Sequence, residues 1–363
     1  MASRRISILT SGGDAPGMNA AIRAATLVAL DQGCTVVGVE HGYRGLMEGE
    51  FRPLAPADVD DVLRDGGTIL GSARCPEFTT REGRDTARRR LADARIDGLV
   101  VIGGNGSLTG ASLLGAPDEL GEQRLRVVGV PASIDNDIGY TSMSIGVDTA
   151  MNTIVDACDK IADTASAHDR TFIVEVMGRD CGYLAMASSV AAGADVVLFR
   201  ESGKSNDQIV HEVTDAVLEA HQGRRRRRVL VIKSEGVRLP VDELKARVDR
   251  AIAARGAKVE TRVTVLGHVV RGGRPTAFDR VMASRMGHAA VRALIDDETL
   301  RMVAWRPSGG LPESAARTRL DPRCWLVDLA DVLAETKAML DGTSPTIQWR
   351  AKVFDEIESV LRL

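Results

Sequence analysis

Two segments of this chain carry residue types that suit phosphoryl transfer. Gly103-Gly104-Asn105-Gly106-Ser107 follows the apolar run Leu99-Val100-Val101-Ile102, and Pro131-Ala132-Ser133-Ile134-Asp135-Asn136-Asp137 follows Val127-Val128-Gly129-Val130. Both runs have the unbroken Val/Ile content of a buried parallel strand. After the first, small residues let backbone N–H groups approach an anion, and Ser107 can open a helix whose positive end faces it. After the second, Asp135 and Asp137 stand at i and i+2, so on extended backbone they share a face and can converge on one hydroxyl and one metal ion. A lone glycine-rich turn more often serves as a tight βα connection, and a lone aspartate after a strand more often caps a turn. Two such turns with an acidic pair favour the chemical reading.

The elements that must position these residues follow from periodicity. Strand-like runs at 6–10, 35–39, 99–102, 127–130, 171–176, 196–199, 229–232 and 261–266 alternate with helix-period segments at 18–30, 149–164, 207–222, 241–255 and 279–294. That alternation predicts an α/β fold of mostly parallel sheets with helices on both faces, in which ligands bind at the C-terminal ends of strands. No Pro/Ser-rich linker or short repeat marks a domain boundary.

Bulk properties narrow the partners. At 363 residues and 44% apolar content the chain is long enough for two core-forming units. Its 47 Lys+Arg against 50 Asp+Glu leave a net charge of −3, which gives no nucleic-acid surface, so small anions must be met by local clusters. Five cysteines without CxxC or Cys/His spacing indicate neither a disulfide framework nor a zinc site, and read as free thiols in a reducing compartment. Met1-Ala2-Ser3-Arg4-Arg5 runs directly into a strand, and no apolar run reaches membrane-spanning length; the expectation is a soluble, cytoplasmic protein with no membrane partner.

The motifs, taken together, resemble the phosphofructokinase family. Thr10-Ser11-Gly12-Gly13-Asp14-Ala15-Pro16-Gly17-Met18-Asn19, Gly71-Ser72-Ala73-Arg74, the two segments above, Met177-Gly178-Arg179, and Leu266-Gly267-His268 through Arg271-Gly272-Gly273 recur in family order from about residue 5 to about residue 294. The resemblance implies two similar Rossmann-like lobes with the active site in the cleft between them. The larger, 1–146 plus about 270–320, is expected to bind nucleotide, and the smaller, 147–269 plus about 321–363, sugar phosphate. It further implies transfer of the γ-phosphoryl group of ATP to the C1 hydroxyl of fructose 6-phosphate, with Mg²⁺, in glycolysis. A dinucleotide site is the competing reading of the first turn, but Gly12-Gly13-Asp14-Ala15-Pro16-Gly17 lacks G-x-G-x-x-G spacing.

By that resemblance, Asp135 is the base, Ser133 donates a hydroxyl to the transferring phosphate, and Asp137, with Asn105, holds the magnesium shell, in part through water. Gly13, Arg74, Cys75, Gly104, Asn105, Gly106 and Ser107 match donor-binding positions, Arg74 as a bidentate phosphate cation. Ser133, Ile134, Asp135, Arg170, Met177, Gly178, Arg179, Glu235, Arg262, His268 and Arg271 match acceptor-binding positions, with Arg179 also among the catalytic set. Arg170 and Arg262 are implied to come from a neighbouring subunit, which makes a homo-oligomer, a homotetramer by resemblance, part of the active site. Taken one at a time, any of these arginines is an ordinary surface residue and His268 a core histidine; their clustering in motif blocks argues for ligands.

The chain departs from the family pattern at several places. Asn105 replaces an aspartate near the magnesium, keeping an oxygen ligand but losing its charge. Gly106 and Ala132 are small where pyrophosphate users resemble a carboxylate and a lysine, which favours ATP over pyrophosphate and leaves ADP open as donor. Of the effector arginines Arg23 matches, whereas Leu27, Pro56 and Ala162 stand at the other positions, so nucleotide activation is not implied. The alternatives are a kinase of another sugar phosphate, such as a seven-carbon ketose phosphate, and a catalytically weak metabolite-sensing subunit. The arginine run at 224–228 reads as a solvated turn, with an effector site as the second reading. The tail from Trp305 onward, with Val360, Leu361 and Leu363, is expected to pack on a lobe or to mediate assembly.

Overall fold

The computed structural model describes residues 4–120, 125–222, 228–306 and 321–361. Its strands are β1 (Arg5–Ser11), β2 (Thr35–Val39), β3 (Phe51–Pro53), β4 (Gly98–Gly103), β5 (Arg126–Pro131), β6 (Thr171–Val176), β7 (Val196–Leu198), β8 (Val229–Ser234), β9 (Thr261–Val265), β10 (Arg301–Trp305) and β11 (Cys324–Asp328). The chain divides into two compact units, Met1–Thr149 with Arg271–Lys337, and Ala150–Val270 with Ala338–Leu363.

In the first unit a seven-stranded sheet runs β11-β10-β5-β4-β1-β2-β3. Its interior is parallel, and the edge strands β3 and β11 pair antiparallel with β2 and β10. β4 is buried along its whole length, which is why its sequence shows no polar alternation. Leu99 and Val101 of β4, Val127 of β5, and Leu108 and Ala111 of the helix Asn105–Leu114 lie in one core. On the other face the helices Met18–Asp31 and Ala277–Ile295 pack closely: a Cβ on Gly287 would stand 2.5 Å from the Ala21 carbonyl oxygen, so only glycine permits this approach.

In the second unit a four-stranded parallel sheet runs β7-β8-β6-β9. Ile173, Val231, Val213 and Val248 belong to its core, the last two from the helices Asn206–Gln222 and Val241–Ala254. The helix Pro345–Leu361 packs on the helix Tyr183–Ala192 of this unit.

All eight apolar runs form strands and all five helix-period segments form helices. Three strands, β3, β10 and β11, and several helices, among them Arg81–Asp93, Tyr183–Ala192 and Leu329–Leu340, were not legible in the periodicity. β3 and β11 are short antiparallel edges, and β3 carries Pro53 at the one place where a missing N–H costs little. The helix Arg81–Asp93 is rich in charge, yet Arg84 and Arg88 are buried because both guanidinium groups close on Glu119. The ion pairs to Glu119 complete a face that Ala87 and Leu91 of the same helix bury in the core. Of the arginine run only Arg228 falls within the described residues, as does the backbone of Val360 and Leu361 in the last helix; Leu363 lies outside them. Among the described residues no helix is long and apolar enough to cross a membrane, and no disulfide joins the cysteines.

Candidate active site

The first unit levels three βα turns at one sheet edge. β5, β4 and β1 are neighbours, and the registers Ser11↔Gly103 and Gly103↔Pro131 bring their C-terminal ends side by side. Glycine is required at Gly103, where the turns after β1 and β4 meet, and leaves room at Gly13 for an arginine side chain. A Cβ on Gly103 would stand 2.4 Å from the Ser11 carbonyl oxygen and 2.5 Å from Ser107 Oγ, and one on Gly13 would stand 2.7 Å from Arg271 Nη1. The Arg271 guanidinium therefore lies directly over the first turn, where its Nη1 also donates to the Asp14 carbonyl at 3.4 Å.

The loop carrying Arg74 and Cys75 is tied to the same turn. Ser72 Oγ donates to the Gly12 carbonyl at 2.7 Å, and Thr10 Oγ1 donates to that of Gly71 at 2.9 Å. Arg74 is exposed; Cys75 is half-buried, with its Sγ 3.5 Å from Met47 Sδ, and burial pushes its thiol above the ordinary range. The helix Asn105–Leu114 starts at this edge with Gly104 as N-cap and no side-chain cap, so Asn105 and Gly106 present its first N–H groups. Gly106 is exposed, and a Cβ there would meet no heavy atom within 4 Å. Ser107 is buried, wedged against Gly12 and Gly103, and its carbonyl accepts from Tyr43 Oη at 2.6 Å. Tyr43 in turn stacks on Phe78, ring centroids 3.9 Å apart.

The loop after β5 has the two-faced character its spacing predicts. Ser133, Asp135 and Asp137 are half-buried, while Ile134 and Asn136 between them and Ala132 and Ile138 on either side are buried. Ser133 Oγ donates to Asp137 Oδ1 at 2.7 Å, so hydroxyl and carboxylate stand on one face. Ile134 is fully buried, so it supports the loop from below. Asn136, with φ 50°, adopts the left-handed conformation that asparagine tolerates.

A second carboxylate cradles the neighbouring helix starts. Asp279 is fully buried; its carboxylate accepts from the backbone N–H groups of Gly146 (2.9 Å) and Thr149 (2.8 Å) and from Thr149 Oγ1 (2.6 Å). Burial outweighs these donors and pushes its carboxyl up to about 6. Thr276 returns the contact, its Oγ1 donating to Asp148 Oδ2 at 2.6 Å. The helices Val147–Ala167 and Ala277–Ile295 thus cap each other.

The second unit gathers a different set. Met177, Gly178 and Arg179 follow β6, and Glu235 follows the adjacent β8, with Val176 and Ser234 in register. Ser234 Oγ donates to the Gly178 carbonyl at 2.5 Å, and a Cβ on Gly236 would stand 2.2 Å from the Arg179 carbonyl oxygen, so glycine lets the two loops touch. Met177 and Gly178 are buried; Arg179 and Glu235 are exposed. Arg170 and Arg262 lie at the opposite edge, before β6 and at the start of β9, and both pair with Glu260. Six residues of β6 separate Arg170 from Met177, about 20 Å of extended chain. Within this unit Arg170 and Arg179 therefore cannot hold the same phosphate. His268 stands exposed in the short turn Gly267–Arg271.

Sequence reasoning missed Asn136, Asp279, Tyr43 and Glu260 as supports of these groups. Two left a trace: Asn136 sits inside the motif, and Thr276-x-x-Asp279 is a capping pattern at a helix start. Tyr43 is 64 positions from the Ser107 carbonyl it holds, and Glu260, though two residues from Arg262, is 90 from Arg170; neither left a trace.

Comparison with known proteins places the chain. Residues 5–294 match the family model described as phosphofructokinase. The ATP-dependent 6-phosphofructokinase of Thermotoga neapolitana is 48% identical over 303 residues, covering 83% of this chain and 89% of that protein. That of Clostridium acetobutylicum is 42% identical over 335 residues, covering 92% of this chain and 100% of that protein. The crystal structure of Pichia pastoris phosphofructokinase in the T-state superposes with TM-score 0.85 at 32% identity, covering 99% of this chain and 42% of that one, so this chain spans under half of the yeast polypeptide. With a family match over most of its length and relatives of this identity, the chain belongs to the phosphofructokinase family.

Proposed function

We propose that this chain is a kinase that transfers the γ-phosphoryl group of ATP to the C1 hydroxyl of fructose 6-phosphate, giving fructose 1,6-bisphosphate and ADP in the cytoplasm. The observation that carries the reading is the outward face Ser133-Asp135-Asp137, level with two glycine turns at the ends of β1 and β4. Both relatives named above are ATP-dependent 6-phosphofructokinases.

The first unit is the nucleotide-binding one. Gly13, Gly104, Asn105 and Gly106 offer backbone N–H groups to phosphate oxygens, Ser107 holds the two turns together, and Arg74 and Arg271 supply cations. Open space at Gly106 leaves room for a nucleoside beyond the phosphates. Asp135 takes the proton from the C1 hydroxyl as its oxygen bonds to the γ-phosphorus; the bond from that phosphorus to the β–γ bridging oxygen breaks, and ADP leaves with the electron pair. Ser133 turns its hydroxyl proton from Asp137 to the phosphoryl group in flight.

The donor set suits Mg²⁺. Asp137 gives one carboxylate beside the Ser133 hydroxyl, Asn105 can add an amide oxygen, and no group of three or more His, Cys, Asp or Glu forms a closed cage among the described residues. An ion that keeps its waters and binds through one carboxylate plus substrate phosphates fits such a set, and when bound it neutralises charge on the β- and γ-phosphate oxygens.

The second unit receives the sugar phosphate, with Arg179 on phosphate and Glu235 on a hydroxyl, beside Met177, Gly178 and His268. Arg170 and Arg262, held at the far edge of the same sheet, serve the acceptor site of a neighbouring subunit, so the working species is an oligomer, a tetramer in this reading. The test is a coupled assay of ATP, ADP and pyrophosphate against fructose 6-phosphate and sedoheptulose 7-phosphate. The highest kcat/KM is expected for ATP with fructose 6-phosphate; a higher value for pyrophosphate, or for the seven-carbon sugar, overturns donor or acceptor.

A further inference from the structure

The helix Pro345–Leu361 lies beyond the residues matched by the family, 5–294, yet it packs around the segment that follows Arg179. Residues 178–182 form neither helix nor strand, and Gly178 has φ +121°, so no backbone ladder sets their position. The loop after β8 meets Gly178 and Arg179 through Ser234 and Gly236, and three kinds of contact hold the residues that follow. Asp180 accepts from Arg200 Nη1 at 2.8 Å, and the Gly182 N–H donates to Glu201 Oε1 at 2.7 Å, which ties the segment to the turn Arg200–Ser202. Cys181, between them, is 2% exposed and forms a small core with Met339 and Ile347, each 4% exposed. The last helix then covers both: Arg350 Cζ lies 4.9 Å from the Tyr183 ring centre, and Phe354 meets Phe199 edge-on with centroids 5.6 Å apart.

We propose that this C-terminal helix is a clamp that positions Arg179 for the sugar phosphate, acting through Cys181 and the turn Arg200–Ser202. It rests on the acceptor role assigned to Arg179 above. A segment without backbone pairing takes its geometry from what packs on it, and it opens locally when that packing is lost. Ile347 and Phe354 therefore act on acceptor binding without touching the acceptor, and the nucleotide side, in the other unit, is left alone.

The test compares full-length wild type with Ile347→Ala, Phe354→Ala and the conservative Phe354→Leu. KM for fructose 6-phosphate is expected to rise roughly tenfold in the two alanine variants, while KM for ATP and kcat at saturating sugar phosphate change less than about twofold; Phe354→Leu should recover most of the loss. Iodoacetamide labelling of Cys181, read by peptide mass spectrometry, should accelerate in the alanine variants relative to the buried Cys34, Cys158 and Cys324. Unchanged Cys181 labelling, or equal rises of KM for both substrates, overturns the clamp. A wild type that does not turn over fructose 6-phosphate overturns the functional reading instead, and the labelling still decides the clamp. If one alanine variant fails to fold, the other, together with Ile347→Val, carries the same comparison.

Discussion

Asn136 donates its side-chain Nδ2–H to the Ser142 carbonyl at 3.1 Å, and its Oδ1 accepts the Ser144 N–H at 3.0 Å. A buried amide thus stitches the Asp135–Asp137 loop to the stretch Ser142–Ser144 after it, from a left-handed backbone position. Asn136→Ala removes both bonds and adds left-handed strain, so a stability loss of about 2–4 kcal/mol and a fall in kcat are expected. Asn136→Gly relieves the strain alone and should recover about 1 kcal/mol of it. Denaturant melts of the two variants separate these contributions.

Asp135→Asn keeps the shape of the loop and removes the base. A kcat lower by roughly 10²–10⁴-fold with nearly unchanged KM is expected. Mixing this inactive chain with an inactive Arg262→Ala chain should restore activity if subunits exchange, because some sites then hold an intact base and an intact donated arginine. No recovery in demonstrably mixed oligomers would return Arg262 to its own chain.

Asn105→Asp adds a hard anionic oxygen at the start of the helix Asn105–Leu114. The Mg²⁺ concentration for half-maximal activity should fall several-fold, by on the order of threefold to thirtyfold. Titrations that superpose on wild type would put position 105 outside the metal shell.

Glu119 binds the buried Arg88 and the neighbouring Arg84, and the Arg84 hydrogen bonds, followed by those of Arg88, hold its carboxyl down to about 2. The folded state therefore binds this proton less readily than the unfolded chain does, so the stabilisation is complete above the ordinary value of 4.5 and is lost as pH falls toward 2. Glu119→Gln should cost about 1–3 kcal/mol at pH 7, with the gap to wild type closing between pH 5 and pH 2 in thermal melts.

The strands at 6–10, 99–102 and 127–130, the glycine turns that follow them and the Ser133-Asp135-Asp137 face were all legible in the sequence. Their determinants are local: unbroken Val/Ile runs mark strands covered on both sides, and a period of two sorts the loop into buried and outward residues. The edge strand β11 and the helix Arg81–Asp93 were not legible, because an edge is defined by its partner and the buried face of that helix mixes Ala87 and Leu91 with Arg84 and Arg88, which are buried through Glu119, remote from them in sequence. The same holds for the supports of the site. Arg271 over Gly13, Asp279 beneath Gly146 and Thr149, and Phe354 against Phe199 join residues more than a hundred positions apart. Residue type determines what chemistry a group can do; only the folded chain decides which groups meet, because contacts of that range depend on how whole elements pack and leave no periodic signal of their own.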